Sequence, residues 1–226
     1  MTQEVWTAVD KYISDLLHPP DPALEGTLQA AAAGGLPPIQ VSPVQGMLLH
    51  LLARACNARR VLEIGTLGGY STIWLARALP TGGRVVTLET NPKHAEISCA
   101  NFALAGLTSM IELRLGPALE TLPKLAAEGR GPFDLIFIDA NKSSMAEYFD
   151  WSLKLARPGS VIIADNVIRD GGVLDANSSD VDIQGVRRFN ERLAAEKCIC
   201  ATEIQTVGSK GYDGFALAVV NDVGGL

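Results

Sequence analysis

Cysteine, histidine and aromatic side chains are scarce in this 226-residue chain: four Cys, three His, and 6% Phe, Trp and Tyr together. Cys56, Cys99, Cys198 and Cys200 match no zinc spacing, and four thiols are too few for a disulfide framework. The expectation is reduced, mostly buried thiols in a cytoplasmic protein. His18, His50 and His94 are scattered and form no helical metal pair, so structural or surface roles are expected for them. No apolar run reaches the ~18 residues that suggest a membrane span. The opening Met1-Thr2-Gln3-Glu4-Val5-Trp6 has neither the basic nor the apolar region of a secretory signal. Basic excess is also absent. Nineteen Lys and Arg stand against 25 Asp and Glu, a net charge of −6, and nucleic acid is therefore not an expected partner.

What the chain does have is apolar content, at 47% with 19% charged residues, which is globular rather than disordered. A chain of this length buries about 70% of its extended surface on folding, enough for a substantial core. Val5, Val9, Tyr12, Ile13, Leu16 and Leu17 recur at helical spacing until His18-Pro19-Pro20, and Ser42-Pro43 starts a helix expected to run to about Cys56. Strand-length apolar runs then alternate with helical stretches. They are Val61–Ile64, Val85–Leu88, Ile111–Leu115, Leu135–Ile138 and Val161–Ala164. That alternation predicts an α/β, Rossmann-like, doubly wound and mostly parallel sheet of about seven strands, with helices on both faces. Cys200–Gln205 and Phe215–Val220, joined by residues 206–214, read as an antiparallel C-terminal hairpin. With no linker or repeat in view, a single domain over 1–226 is expected, its first 40 residues a helical extension.

The densest motif is Val61-Leu62-Glu63-Ile64-Gly65-Thr66-Leu67-Gly68-Gly69-Tyr70-Ser71-Thr72, a strand running into a glycine turn and a helix. Gly65 and Gly69 let backbone approach a ligand, and the helix start offers free N–H groups. A dinucleotide fingerprint counted from Gly65 needs glycine at Leu67 and Tyr70, so the spacing is wrong for an NAD-dependent oxidoreductase, the first rival reading. Glu63 would repel a pyrophosphate. Glu89 ends the second strand, where an acid commonly takes a ribose diol. The pair suggests a nucleoside with a positive, phosphate-free tail, the character of S-adenosylmethionine.

Two later strands end in carboxylates and amides, at Ile138-Asp139-Ala140-Asn141-Lys142 and Ala164-Asp165-Asn166-Val167. Strand C-terminal ends are where doubly wound sheets place ligands. If the two strands are neighbours, Asp139, Asp165 and Asn166 form an all-oxygen set suited to a hard cation, Mg²⁺ first, with Ca²⁺ or Mn²⁺ as alternatives. Lys142 follows Asp139 by three residues, and beside a dication its ammonium is disfavoured, which tunes it toward general-base work.

These motifs resemble the cation-dependent O-methyltransferases, the caffeoyl-CoA O-methyltransferase group and its bacterial relatives, with catechol O-methyltransferase more distantly similar. Ile39-Gln40-Val41-Ser42-Pro43 and Gly211-Tyr212-Asp213-Gly214-Phe215 also match, so the likeness covers about residues 36–220. The resemblance implies that Val41, Glu63, Gly65, Thr66 and Ser71 border the methionine end of the cofactor, with Gly69 and Asp139 completing its surroundings. It implies that Glu89 takes the ribose and that Ala118 lies beside the adenine. It makes Asp139, Asp165 and Asn166 the metal ligands and Lys142 the base. Asn141 is a departure, since relatives often carry Asp there; it removes one negative charge from the site.

The activity so implied is methyl transfer to a hydroxyl of a vicinal-diol phenol, a catechol-like small molecule. Residues 169–177 follow the metal ligands and suit a substrate-binding segment. Among rival readings, a nucleic-acid or protein methyltransferase lacks an Asn-Pro-Pro-Tyr-type motif after the fourth strand, and a different small-molecule acceptor stays open. A non-catalytic binding protein would be expected to lose metal ligands. The N-terminal helices are expected to pack in a homodimer, as those of family relatives do, with no membrane partner.

Overall fold

A computed structural model describes residues 2–222. Three helices come first: α1 (Gln3–Leu17), α2 (Pro22–Ala33) and α3 (Pro43–Ala55). Asp21 caps α2 through the N–H groups of Ala23 and Leu24, and Pro22 occupies the first turn, where a missing N–H costs nothing. At α3 the Ser42-Pro43 signal becomes a full capping box. The Ser42 hydroxyl accepts from the Gln45 N–H, and the Gln45 side chain accepts from the Ser42 N–H. The helix stops at Cys56, as the sequence predicts.

The sheet then alternates with helices: β1 (Arg60–Ile64), α4 (Tyr70–Ala78), β2 (Arg84–Glu89), α5 (Pro92–Leu104), β3 (Ile111–Leu115), α6 (Ala118–Ala127), β4 (Leu135–Ile138), α7 (Met145–Leu155), β5 (Val161–Asp165), α8 (Val181–Ala195), β6 (Ile199–Gly208) and β7 (Gly211–Val220). The strand order is β3-β2-β1-β4-β5-β7-β6, with β1 to β5 parallel and β7 antiparallel to both its neighbours. This is the predicted Rossmann-like sheet. Strand pleating sorts its residues between two cores. Leu62, Ile64, Val86, Leu88, Ile136 and Ile138 pack with α6, α7 and α8. Val61, Val85, Leu135, Phe137, Val161 and Ile163 pack with α3, α4 and α5.

Two expectations need correction. The hairpin connection is not nine residues but the turn at Ser209 and Lys210, because the strands pair from Ile199↔Val220 to Gly208↔Gly211. Glycines and polar residues read as loop, yet cross-strand pairing carries them as strand. The cysteines are free but not mostly buried: Cys99, Cys198 and Cys200 are exposed and Cys56 is partly exposed. Cys200 lies on the edge strand β6, largely open to solvent.

α1 packs outside this layer, near the tip of the hairpin. The Asp10 carboxylate accepts the Ser209 N–H at 2.7 Å, and the Gln3 amide donates to the Gly208 carbonyl at 2.9 Å. Its apolar residues Val5, Val9, Tyr12, Leu16 and Leu17 remain exposed. Among the described residues, no helix is long and apolar enough to cross a membrane.

Candidate active site

The strand order reverses between β1 and β4, and the cleft at such a switch point is where open α/β sheets bind ligands. Backbone contact fixes it. A Cβ on Gly65 would collide with the main-chain oxygen of Asp139, and φ at Gly65 is +106°, so glycine is required where β1 and β4 end together. A cavity of about 1140 Å³ opens there. That exceeds the ~300–1,000 Å³ of one ordinary small-ligand site, and leaves room for two ligands side by side.

The cavity is lined by Val41, Gly65, Thr66, Ser71, Glu89, Ala118, Asp139, Lys142, Asp165 and Asn166, so the fold gathers these predicted residues from six separate segments. Glu63 and Gly69 are not on its wall. Glu63 lies behind it, fully buried, and accepts hydrogen bonds from Ser71 at 2.6 Å, Thr87 at 2.6 Å and Thr72. Thr87 spends its proton on Glu63, so the Thr66 hydroxyl, 2.6 Å away, donates to Thr87. Glu63 therefore reaches the cavity through the hydroxyls of Ser71 and Thr66. Burial pushes its carboxyl up to about 7 despite the three donors. Gly69 has φ +83° at the start of α4, and a side chain there would strike the Phe102 ring. Its place is helix packing.

Leu67, where a dinucleotide loop would carry glycine, takes the left-handed conformation anyway, at φ +50°. Its N–H donates to Glu89 Oε2 at 2.8 Å, while Glu89 Oε1 accepts from Thr90 and Asn91, each at 2.9 Å. The carboxylate is thereby fixed at the end of β2, with one acceptor position left on Oε2. His94 stands 3.6 Å from Glu89 and lines the same end.

At the other end, β4 and β5 are adjacent and parallel, and Asp139 and Asp165 close them. Lys142 is buried, and its Nζ donates to Asp139 Oδ1 at 3.0 Å and to the main-chain oxygen of Asp165 at 3.2 Å. Burial, and then the charge of Asp139, push the Asp165 carboxyl up to about 7. Asn166 is left-handed at φ +62°. No cluster of three or more His, Cys, Asp and Glu stands among the described residues, so any metal here would rest on two carboxylates and an amide. That set fits a hard cation: its donors are all oxygen, and two neighbouring acids, one buried, call for more positive charge than Lys142 brings. Asn141 is engaged at both ends. It accepts from the Tyr148 hydroxyl, and its Nδ2 donates to Ser143 at 3.0 Å and Ser144 at 2.9 Å.

Sequence reasoning missed Asp213, Asp10 and Tyr148, all of which line the cavity. Asp213 Oδ1 accepts the N–H groups of Ile168, Arg169 and Gly214, each at 2.9 Å. It holds the left-handed run after Asn166, where φ is +53° at Arg169 and +54° at Asp170. Its only sequence signal is its place before Gly214 in the Gly211–Phe215 motif.

These acids predict a pH effect. Glu63 and Asp165 bind protons more tightly in the folded protein, near pH 7, than at the ordinary values of 4.5 and 3.8. The native state then holds the extra protons between about pH 4 and pH 7, so stability falls as pH rises through that window. The Glu63 shift alone corresponds to about 3 kcal/mol. The expected result is a melting temperature roughly 5–10 °C lower at pH 8 than at pH 5 in metal-free protein. Glu63→Gln should flatten the decline. A flat profile in differential scanning fluorimetry would contradict the assignment.

Comparison with known proteins agrees with this geometry. A sequence model of the O-methyltransferase family matches residues 20–218. The chain is 54% identical to a catechol O-methyltransferase of Niastella koreensis over 97% of this chain and 100% of that one. It is also 54% identical to a catechol O-methyltransferase of Mycobacterium tuberculosis, over 94% of each. In structure it is similar to an O-methyltransferase from Bacillus cereus in complex with SAH, with a TM-score of 0.96, 56% identity, and coverage of 97% of this chain and 100% of that one.

Proposed function

The chain belongs to the O-methyltransferase family and is an S-adenosylmethionine-dependent O-methyltransferase; from that premise we propose that its acceptor is a catechol-like vicinal diol and that a divalent cation assists the transfer. The observation that carries this reading is the closure of adjacent strands by Asp139 and Asp165, one of them buried, so that two carboxylates meet beside the single ammonium of Lys142. The name catechol O-methyltransferase on two relatives at 54% identity supports the diol.

In this reading Asp139, Asp165 and Asn166 hold the cation, with Mg²⁺ the expected ion. A bound dication supplies positive charge that lowers the pKa of a phenol from its ordinary ~10. S-adenosylmethionine supplies the electrophilic methyl group. Glu89 orients the ribose, Ala118 flanks the adenine, and Val41, Gly65, Thr66 and Ser71 surround the methionine end. Glu63 holds Ser71 directly, and Thr66 through Thr87, in place from behind. Lys142, once it has lost its own proton and is neutral, accepts the hydroxyl proton at Nζ. Enclosing both reactants in one cavity supplies alignment and excludes water.

The test is a product assay with labelled methyl donor and Mg²⁺. Catechols should be methylated once, and matched phenols with a single hydroxyl should be methylated at least a hundredfold more slowly. Equal rates on diols and single phenols would remove the chelating-diol reading.

A further inference from the structure

Arg169 is a half-buried arginine that lines the cavity three residues after Asn166. The other half-buried arginines of the described residues have partners for their side chains. Arg77 pairs with Asp21, Arg114 and Arg130 with Glu112, Arg187 with the Val173 carbonyl, and Arg192 with Asp150. Arg169 has none, and its Nε is buried without a hydrogen-bond partner. An Nε–H drawn out of water and left unmatched is unfavourable unless a ligand completes it.

Its backbone is held in a costly conformation, left-handed at φ +53°, by the Asp213 carboxylate. That fixes where the side chain leaves the loop. Acids line the cavity as well, Asp139, Asp165, Asp170, Asp182 and Asp213 among them, yet none is bonded to the Arg169 side chain: Asp213 Oδ1 takes three backbone N–H groups, and Asp139 takes Lys142. Arg169 also lies after β5, on the far side of β4 from the Glu63–Ser71 loop proposed for the cofactor's methionine end. An anion at Arg169 would therefore belong to the acceptor.

We propose that Arg169 recognises an acidic group on the substrate, so that the preferred acceptor is a vicinal-diol phenol bearing a carboxylate. A planar guanidinium suits a planar carboxylate through two parallel hydrogen bonds. Lys210, whose Nζ donates to the Pro38 carbonyl at 2.7 Å, lines the same cavity and adds positive charge there. The inference rests on the catechol reading above.

The experiment compares 3,4-dihydroxybenzoate with 3,4-dihydroxybenzamide, which differ in charge and little in shape, using the full chain with Mg²⁺ and S-adenosylmethionine. Wild type should show a KM for the acid at least tenfold lower than for the amide. Arg169→Gln should erase that preference, raising the KM of the acid at least tenfold more than that of the amide. Arg169→Lys should restore part of it. Equal KM values in wild type would overturn the proposal whether or not the variants fold. So would equal losses on acid and amide in Arg169→Gln, or a matching loss of SAH affinity by calorimetry. Turnover of neither diol would overturn the catechol reading and this inference together, whereas turnover of both without preference would overturn the arginine alone.

Discussion

Asp165→Ala should lower methyl transfer by a factor of a thousand or more while leaving SAH affinity within about threefold of wild type. In the proposed site, Asp165 is a cation ligand set apart from the cofactor contacts. It closes β5, whereas Glu89, proposed for the ribose, ends β2, and the residues proposed for the methionine end precede α3 or follow β1. A thousandfold loss corresponds to about 4 kcal/mol of transition-state stabilisation, within what a dication contributes at an ionising oxygen. The substitution should not unfold the protein. Burial and the charge of Asp139 disfavour the ionised Asp165 carboxyl, so alanine relieves a strained group, and metal-free stability at pH 8 should hold or rise. Full chelation with EDTA should reproduce the loss in wild type, and Mg²⁺ should reverse it. Turnover that survives chelation would refute the cation. Parallel loss of SAH binding and turnover in Asp165→Ala would instead assign the residue a structural role.

Lys142→Arg and Lys142→Met should each lower kcat by roughly 10²–10⁴-fold, the usual contribution of a positioned general base. The two variants separate two roles. Arginine keeps the positive charge beside Asp139 but does not deprotonate at working pH, so it preserves a charge-balancing role and removes a basic one. Substantial activity in Lys142→Arg would make the residue a charge partner only. The fold places this ammonium with care. Gly185 of α8 has no side chain to collide with the backbone of Lys142 and Ser143, which lets α8 pack directly on the segment that carries the lysine.

Much of the site was legible because its residues come in short motifs fixed to strand ends. A strand that finishes in Gly65, Glu89, Asp139 or Asp165 announces both its end and its chemistry, since apolar runs stop where polar groups begin. Other features depended on partners far away in the chain. Glu63 reads as a cofactor contact from its position in the loop, yet Thr87 of β2 and Ser71 and Thr72 of α4 enclose it behind the wall. Gly69 reads as a ligand-facing glycine, but the Phe102 ring is what excludes a side chain there. Asp213 lies 45 residues from Ile168, whose N–H it binds. Asp10 meets the hairpin across a separation of 199 residues. No local spacing encodes such pairs.

The sequence by itself determined the layered fold, the end of the sheet where the cavity opens and the identity of the polar groups there. Hydrophobic periodicity and the glycine turn are local properties, and they act wherever the strand lies. Tertiary structure alone decided which groups face the cavity and which stand behind it, how far the β6–β7 pairing runs, and that Arg169 enters the cavity without a partner. Those outcomes depend on packing and hydrogen bonds between distant segments, which form only when the strands take their places in the sheet.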